Sequence, residues 1–187
     1  MAIRGSYHDY ERVRPSGLTR MLLSGSWRGT LRWVGLVALA AVLQGVWAHR
    51  LRAFGATPDF PLLVLACLSV GTNPTTAAWA GFLTGLLLAS MLEQMVGSLI
   101  VSRTLAATVV SYLSITLSMR HGLCILPAVV LLSLLAHGML YLAAPLAEGG
   151  AFWRAAIGSM VYNMGLAIPA YWLVRRVLPP MHEDDAL

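Results

Sequence analysis

The chain has 187 residues, of which 58% are hydrophobic and 11% charged, with a formal net charge of +5 at neutral pH. A soluble domain carries about 25% charged residues, so this composition excludes an ordinary water-soluble fold. The mean hydropathy of +0.71 supports the same exclusion. The apolar residues also come in whole runs, as in membrane helices, and not as one stripe per helix.

Six apolar runs of the kind that indicates a membrane helix predict an all-α, polytopic membrane protein. The second run is short, and it either extends through Asn73 or forms a tilted half-helix. The first begins some thirty residues into the chain and ends in "WAHRLR", which is not a cleavage site, so we expect it to stay. In chain order the predicted spans are Trp33–Ala48, Phe60–Val70, Ala77–Met95, Ser98–Leu117, Leu123–Ala144 and Ala155–Leu178.

The distribution of charge predicts the orientation of these spans. All thirteen basic residues are arginines, and six spans with an internal N-terminus would place nine of them on the inner side. The positive-inside rule then puts both termini in the cytoplasm. We therefore expect a cytoplasmic tail at residues 1–30, a six-helix domain at 31–178 and a second tail at 179–187. The basic residues lie at span ends, which favours contact with membrane lipids and not nucleic acid.

The N-terminal tail contains "GLTRMLLSGSWRGTLRW", which fits either a short surface helix on the membrane or a disordered segment whose arginines only set topology. The two cysteines, Cys67 and Cys124, fall in or beside apolar runs, where a free thiol behaves as a small hydrophobe. They form no metal-ligand pattern, and we expect no metal site and no cofactor.

Ionisable groups within the spans are few, and such groups are costly unless they are paired. Glu93 lies near the end of the third span and Arg103 in the first half of the fourth, so an ion pair between these neighbours is one interpretation. The other is that each side chain snorkels to the membrane interface. His137 lies within the fifth span, where a hydrogen bond to another helix is a more common role than ligand binding.

Neutral polar residues also occur inside the spans, and the hydroxyls of the fourth span recur roughly on one face. Such groups bond the preceding turn or a neighbouring helix, although they are also able to line a polar cavity. They are Gln44, Asn163, Ser102, Thr104, Thr108, Ser111, Ser114 and Thr116.

The third span contains "GFLTG", with Gly81 and Gly85 four residues apart on one face. This spacing lets another helix approach closely. The sixth span also contains small residues, Gly158 and Gly165. If the close helix belongs to a partner, Gly81→Leu weakens partner binding and still allows insertion.

The stretch "TPDFP" places Asp59 between two prolines at the start of the second span. Thr57 or Asp59 is able to cap the helix, Pro58 suits its first position, and an acid there meets the positive end of the helix dipole. On this local account, Asp59→Ala costs only about 0.3–1 kcal/mol.

Taken together, Pro58-Asp59, Gly81-Phe82-Leu83-Thr84-Gly85-Leu86 and Gly97 occur in an order and spacing that resembles the MreD family of rod-shape-determining membrane proteins. The resemblance covers about Ala56–Leu113, and the rest of the chain agrees in topology. Family members commonly carry an aspartate where this chain has Ala89, with Glu93 one turn later. The long arginine-rich N-terminal tail is also unusual for the family.

The resemblance implies a non-enzymatic role in the cell-elongation machinery, beside an MreC-like single-span protein. That machinery also contains a RodA-type glycosyltransferase, its class B penicillin-binding partner and MreB-like actin. It further implies a fold similar to the substrate-binding subunits of energy-coupling-factor vitamin transporters.

This fold supplies the rival hypothesis, a transporter subunit in which Gln44, Arg103 and Asn163 line a ligand pocket. An enzyme is the weakest of the three readings, because the sequence contains no catalytic motif and no pair of membrane carboxylates suited to acid–base chemistry.

Overall fold

The protein was analysed as a computed structural model that describes residues 27–52, 56–92, 95–117, 122–143 and 149–178. Within these residues the secondary structure is helical, with no strand. The helices are α1 (Trp27–Trp47), α2 (Phe60–Gly71), α3 (Pro74–Leu92), α4 (Val96–Thr116), α5 (Ile125–Ala143) and α6 (Gly149–Val177), and a short 3₁₀ helix, Gly122–Cys124, precedes α5.

Five of the described helices, all except α2, are long and apolar enough to cross a membrane. The prediction of an all-helical, multi-pass membrane protein is therefore confirmed at this level. Helix α2 has 12 residues, which corresponds to about 18 Å of helix. That length is well short of the roughly 30 Å of a bilayer's hydrocarbon core.

Helix α2 nevertheless forms the centre of the molecule. It packs against all five other helices, and eight of its 12 residues are buried, including Leu62, Leu65 and Leu68. A short helix with apolar residues on every side is stable when its whole circumference is covered by neighbours. The other helices therefore surround α2.

Polar contacts establish the relative directions of α2 and α4. The start of α2 contacts α4 through Asp59 and Arg103, and the end of α2 contacts it through Thr72, whose carbonyl accepts a bond of 2.7 Å from the Ser111 hydroxyl. The two helices therefore run parallel. Helix α3, which lies between them in the chain, runs antiparallel to α4, since Gly81 faces Thr104 and Gly85 faces Ile100.

Helix boundaries follow the predictions most closely where the sequence contains a helix-starting residue. Pro74 begins α3, as expected from its position after "GTN". Helix α1 begins at Trp27 and α6 at Gly149, each six residues before the predicted span. Hydropathy marks only the apolar part of a helix, whereas the backbone continues through arginines and glycines at the membrane interface. The predicted N-terminal tail at 1–30 is too long, because residues 27–30 belong to α1. The rest of that tail and the predicted tail at 179–187 lie outside the described residues.

Candidate functional site: a buried polar cluster beneath a small cavity

Asp59 is the N-cap of α2. Its Oδ1 accepts a hydrogen bond of 2.9 Å from the Leu62 backbone N–H, which is the bond that a capping carboxylate provides. Pro61 occupies the second helical position, where its missing N–H is harmless. The predicted cap is confirmed for Asp59, whereas Pro58 precedes the helix and is not its first residue.

Two side chains from distant helices complete the first turn of α2. Asn163 on α6 accepts from the Asp59 N–H at 3.1 Å and donates to the Asp59 carbonyl at 3.2 Å. Gln44 on α1 accepts from the Phe60 N–H at 2.9 Å. A helix start leaves four backbone donors without intrahelical partners. Here each one is bonded or, at Pro61, absent, so the helix is able to begin in a buried position.

Arg103 on α4 supplies the positive charge that this arrangement needs. Its Nη2 donates to Oδ2 of Asp59 at 2.6 Å, and the two side chains are only 6% and 14% exposed. Charged groups so deep in a membrane protein are tolerated when they pair with each other. We call Gln44, Asp59, Arg103 and Asn163 the polar cluster.

The glycines of "GFLTG" let α3 pack closely against the part of the α4 backbone that carries Arg103. A Cβ at Gly81 would lie 2.6 Å from the Arg103 carbonyl oxygen, and one at Gly85 would lie 2.6 Å from the Ile100 Cα. Real side chains do not approach backbone so closely, so glycine is required at both positions. The close helix that the sequence predicts is α4 of the same chain, and we call this packing the glycine contact.

A cavity of about 190 Å³ lies against the polar cluster. Gln44, Asp59, His137 and Ser159 contribute to its wall. A second, much smaller cavity of about 20 Å³ adjoins Arg103, Ser102 and His137. Arg103 Nη1 is buried and has no hydrogen-bond partner among the described residues.

Among the described residues, His137 makes no hydrogen bond to another helix, which is the role expected from the sequence. Its Nδ1 bonds the Ser133 carbonyl one turn back in α5, at 2.8 Å. Its ring lies 6.0 Å from that of Phe152 on α6, with the two planes tilted by 57°. His137 lines both cavities.

The other predicted site residues are distributed as follows. Glu93 lies outside the described residues, so the predicted Glu93–Arg103 pair stays a prediction, and the partner shown for Arg103 is Asp59. Gly97 is exposed, and a Cβ there would contact nothing within 4 Å, so its predicted packing role finds no neighbour among the described residues. Phe82 is 40% exposed and lies edge-on to Trp79. Ala89 is buried.

The hydroxyls of α4 act mainly as local or interhelical hydrogen-bond donors. Ser111 donates to the carbonyl of Thr72 directly after α2, whereas Thr104, Thr108 and Thr116 bond their own helix. The Ser114 hydroxyl lies 2.8 Å from the Ser111 carbonyl of its own helix and 3.3 Å from the Ser69 carbonyl of α2. Of these hydroxyls, Ser102 alone lines one of the two cavities described above. The interpretation of these residues as links within and between helices therefore fits better than the lining of a polar cavity.

The Asp59–Arg103 pair is the functional feature that sequence reasoning missed. Its members are 44 residues apart, and the sequence analysis paired Arg103 with the nearer acid. The available signal was the cost of leaving either charge alone in an apolar run. The expected loss for Asp59→Ala must be raised accordingly, because removing one member of a buried pair costs about 3–5 kcal/mol.

Chemically, the cluster is suited to holding helices together. Both carboxylate oxygens of Asp59 and both polar groups of Asn163 are already bonded. In the described part of the chain no three His, Cys, Asp or Glu residues come together in a way that would hold a metal ion. Cys67 and Cys124 are free thiols.

Comparison with known proteins adds no relative. No model of a known protein family matches the chain, and no curated protein and no solved structure matches it. The class that the fold and the cluster define is a multi-pass helical membrane protein with a buried ion pair at the start of its central helix.

Proposed function

We propose that the protein is a non-enzymatic scaffold of the bacterial cell-elongation complex, with an MreC-like single-span protein as its direct partner. In this role it helps to regulate peptidoglycan synthesis and cell shape, in contact with the RodA-type glycosyltransferase, its class B penicillin-binding partner and MreB-like actin. It resides in the inner membrane with both termini in the cytoplasm. Helix α2 is a short sixth crossing, in a fold similar to the substrate-binding subunits of energy-coupling-factor transporters.

The observation that carries this proposal is the convergence of the motif residues. Asp59 and the Gly81/Gly85 pair belong to separate parts of the pattern that resembles the MreD family. Asp59 pairs with the Arg103 side chain, and Gly81 packs against the Arg103 backbone. Residues from separate parts of the pattern therefore meet at one place in the structure. This coherence supports the resemblance, since a chance pattern would have no reason to meet at one residue.

The surface of α3 opposite the glycine contact is the surface that we assign to the partner helix. Trp79, Phe82 and Leu86 are spaced three and four residues apart, and each is 40–41% exposed. Residues at this spacing form one face of a helix. Aromatic residues are also enriched among the side chains that dominate binding between proteins.

The cavity beside the polar cluster favours the second candidate, a substrate-binding subunit of a vitamin-type transporter. Its volume of about 190 Å³ is smaller than the roughly 300–1,000 Å³ of typical small-molecule sites. The side-chain amide of Asn163 and the side-chain oxygen of Gln44 are also hydrogen-bonded to the backbone at the start of α2. Both facts weigh towards the scaffold.

The deciding experiment is purification of the tagged protein from its native membrane in a mild detergent, followed by mass spectrometry of the proteins and small molecules that accompany it. The scaffold proposal predicts recovery of an MreC-like single-span protein, with or without the cell-wall synthases. Recovery of ATPase subunits together with a bound vitamin would refute it and support the transporter.

A pair of matched variants locates the surface. Trp79→Ala with Phe82→Ala is expected to reduce recovery of the partner about tenfold or more, as loss of central aromatic contacts does. Val101→Ala with Leu105→Ala alters α4 residues that are 55% and 47% exposed, and it is the control. Equal recovery from both double variants would argue against the assigned face.

A further inference from the structure

The cavity exists because the central helix is short. Arg103 lies seven residues after the start of α4 at Val96, which corresponds to about 10 Å along that helix. Asp59 bonds Arg103, so α2 begins at the same depth, well inside the bundle. The longer helices extend past this point, and the space above the first turn of α2 is left without a helix. The cavity of about 190 Å³ occupies it.

The lining residues show at which end the cavity opens. Gln44 lies three residues before the end of α1, and His137 lies six before the end of α5. Phe152 and Ser159 lie within the first eleven residues of α6. All of these positions belong to the end of the bundle that contains the α1–α2 and α5–α6 connections. The mouth therefore faces away from the end where α1 begins and α6 finishes.

The wall of the cavity is polar and electrically balanced. It carries the Asp59 carboxylate, whose charge is compensated by Arg103 at 2.6 Å. It also carries the hydroxyls of Thr57 and Ser159, which make no hydrogen bond to another residue in the described ranges. A volume of about 190 Å³ is enough for several water molecules, since one needs roughly 10–15 Å³ of such space.

The smaller cavity explains the unpaired nitrogen of Arg103. Its volume of about 20 Å³ exceeds the roughly 10–15 Å³ that a single water needs. A carbonyl oxygen accepts, so His137 Nδ1 is the donor in its bond to Ser133, and the tautomer with this proton leaves Nε2 as an acceptor. One water here has a donor in Arg103 Nη1 and acceptors in His137 and Ser102, which is enough to hold it.

The geometry points to a water-filled inlet that enters the bundle at the α1–α2 and α5–α6 end and stops at the Asp59–Arg103 pair. One water sealed between Arg103 and His137 completes the hydrogen bonding of the pair. The inlet takes water and small polar molecules without preference for either sign of charge, because the charge of Asp59 on its wall is compensated by Arg103. It closes at the pair, where the start of α2 is fully bonded, so it is not a channel. This inference is independent of the scaffold proposal.

Cysteine accessibility tests the inlet directly. In a background with Cys67→Ala and Cys124→Ala, Ser159→Cys places a thiol on the cavity wall, and Val161→Cys places one on the outer face of the same helix, where the native residue is 60% exposed. Methanethiosulfonate reagents react with the thiolate, which forms in water and not in lipid. We expect Ser159→Cys to react with the anionic ethylsulfonate reagent at least about tenfold faster than Val161→Cys.

The result that overturns the inference is an equally slow reaction at both positions while Arg50→Cys, in the exposed turn after α1, reacts rapidly. Ala155→Cys on the same wall replaces Ser159→Cys if that variant does not fold. At Ser159→Cys, the reaction rate of the cationic aminoethyl reagent is expected to lie within about tenfold of the rate of the anionic reagent. A larger preference for either reagent would contradict the inference that the wall has no uncompensated charge. Permeabilised cells test the inlet itself, and a comparison with intact cells separately tests the orientation of the protein.

Discussion

The polar cluster and the glycine contact both hold Arg103 in place, but they use different forces. The residues of the polar cluster are distant in the sequence, whereas the glycine contact joins two consecutive helices. The polar cluster uses charge and hydrogen bonds, and its four members come from four separate helices or their flanking turns. The glycine contact uses only the absence of side chains, between two consecutive helices. The comparison teaches that a membrane bundle can position one buried charge by a distant polar partner on one side and by close backbone packing on the other.

The largest effect is expected from breaking the ion pair. Asp59→Ala leaves Arg103 as an uncompensated buried charge and also removes the cap of α2, so we expect a loss of about 3–5 kcal/mol. The measurement is unfolding in mixed detergent micelles, followed by circular dichroism. A loss below about 1 kcal/mol would mean that the local capping account suffices.

A double variant separates the charge from the cap. Asp59→Asn keeps an oxygen that is able to cap the helix, and Arg103→Met removes the opposing charge with a side chain of similar length. Replacement of a whole buried pair is far less costly than loss of one member. We therefore expect the double variant to be more stable than Asp59→Asn alone, and strict additivity of the two losses would contradict the pairing.

The next largest effect is expected at the glycine contact. Gly81→Leu forces α3 away from the backbone of α4 at Arg103, and such overpacking costs about 1–3 kcal/mol, occasionally more. Gly35→Ala is the matched control, because a Cβ at Gly35 contacts nothing within 4 Å. If Gly81→Leu leaves the unfolding curve unchanged and alters only partner recovery, the contact with α4 is not required for folding.

A smaller effect is expected from Asn163→Leu, which removes two hydrogen bonds to the backbone of Asp59. An unsatisfied buried backbone group costs about 1–3 kcal/mol. The same unfolding assay measures the loss, and Tyr162→Leu, on the neighbouring position of α6, controls for a change in side-chain shape. Equal losses from the two variants would remove Asn163 from the polar cluster.

The smallest effect is expected from Ser111→Ala. This change removes one hydroxyl bond of 2.7 Å to the Thr72 carbonyl, and interhelical bonds of this kind contribute about 0.6 kcal/mol on average in a membrane protein. Thr116→Ala, whose hydroxyl bonds its own exposed turn, is the control. A loss for Ser111→Ala that exceeds the loss for Asp59→Ala would show that α2 and α4 depend on this bond more than on the ion pair.

Much of the fold was predictable because its signals are local. Apolar runs revealed five helices long and apolar enough to cross a membrane, and a sixth, shorter one. Pro74 marked the start of α3, and Asp59 was recognised as a possible cap. The spacing of Gly81 and Gly85 predicted close helix packing, which the structure contains. Each of these signals depends on residues within a few turns of one another.

The partners of these groups were decided only by tertiary structure. Nothing within one helix indicates that Arg103 bonds Asp59, that Asn163 bonds the start of α2, or that the glycines face α4 and not another protein. The sequence by itself determined the helices and the need of each buried charge for a partner. The choice of partner required the central position of α2, because only there do the start of one short helix and the sides of three longer ones meet.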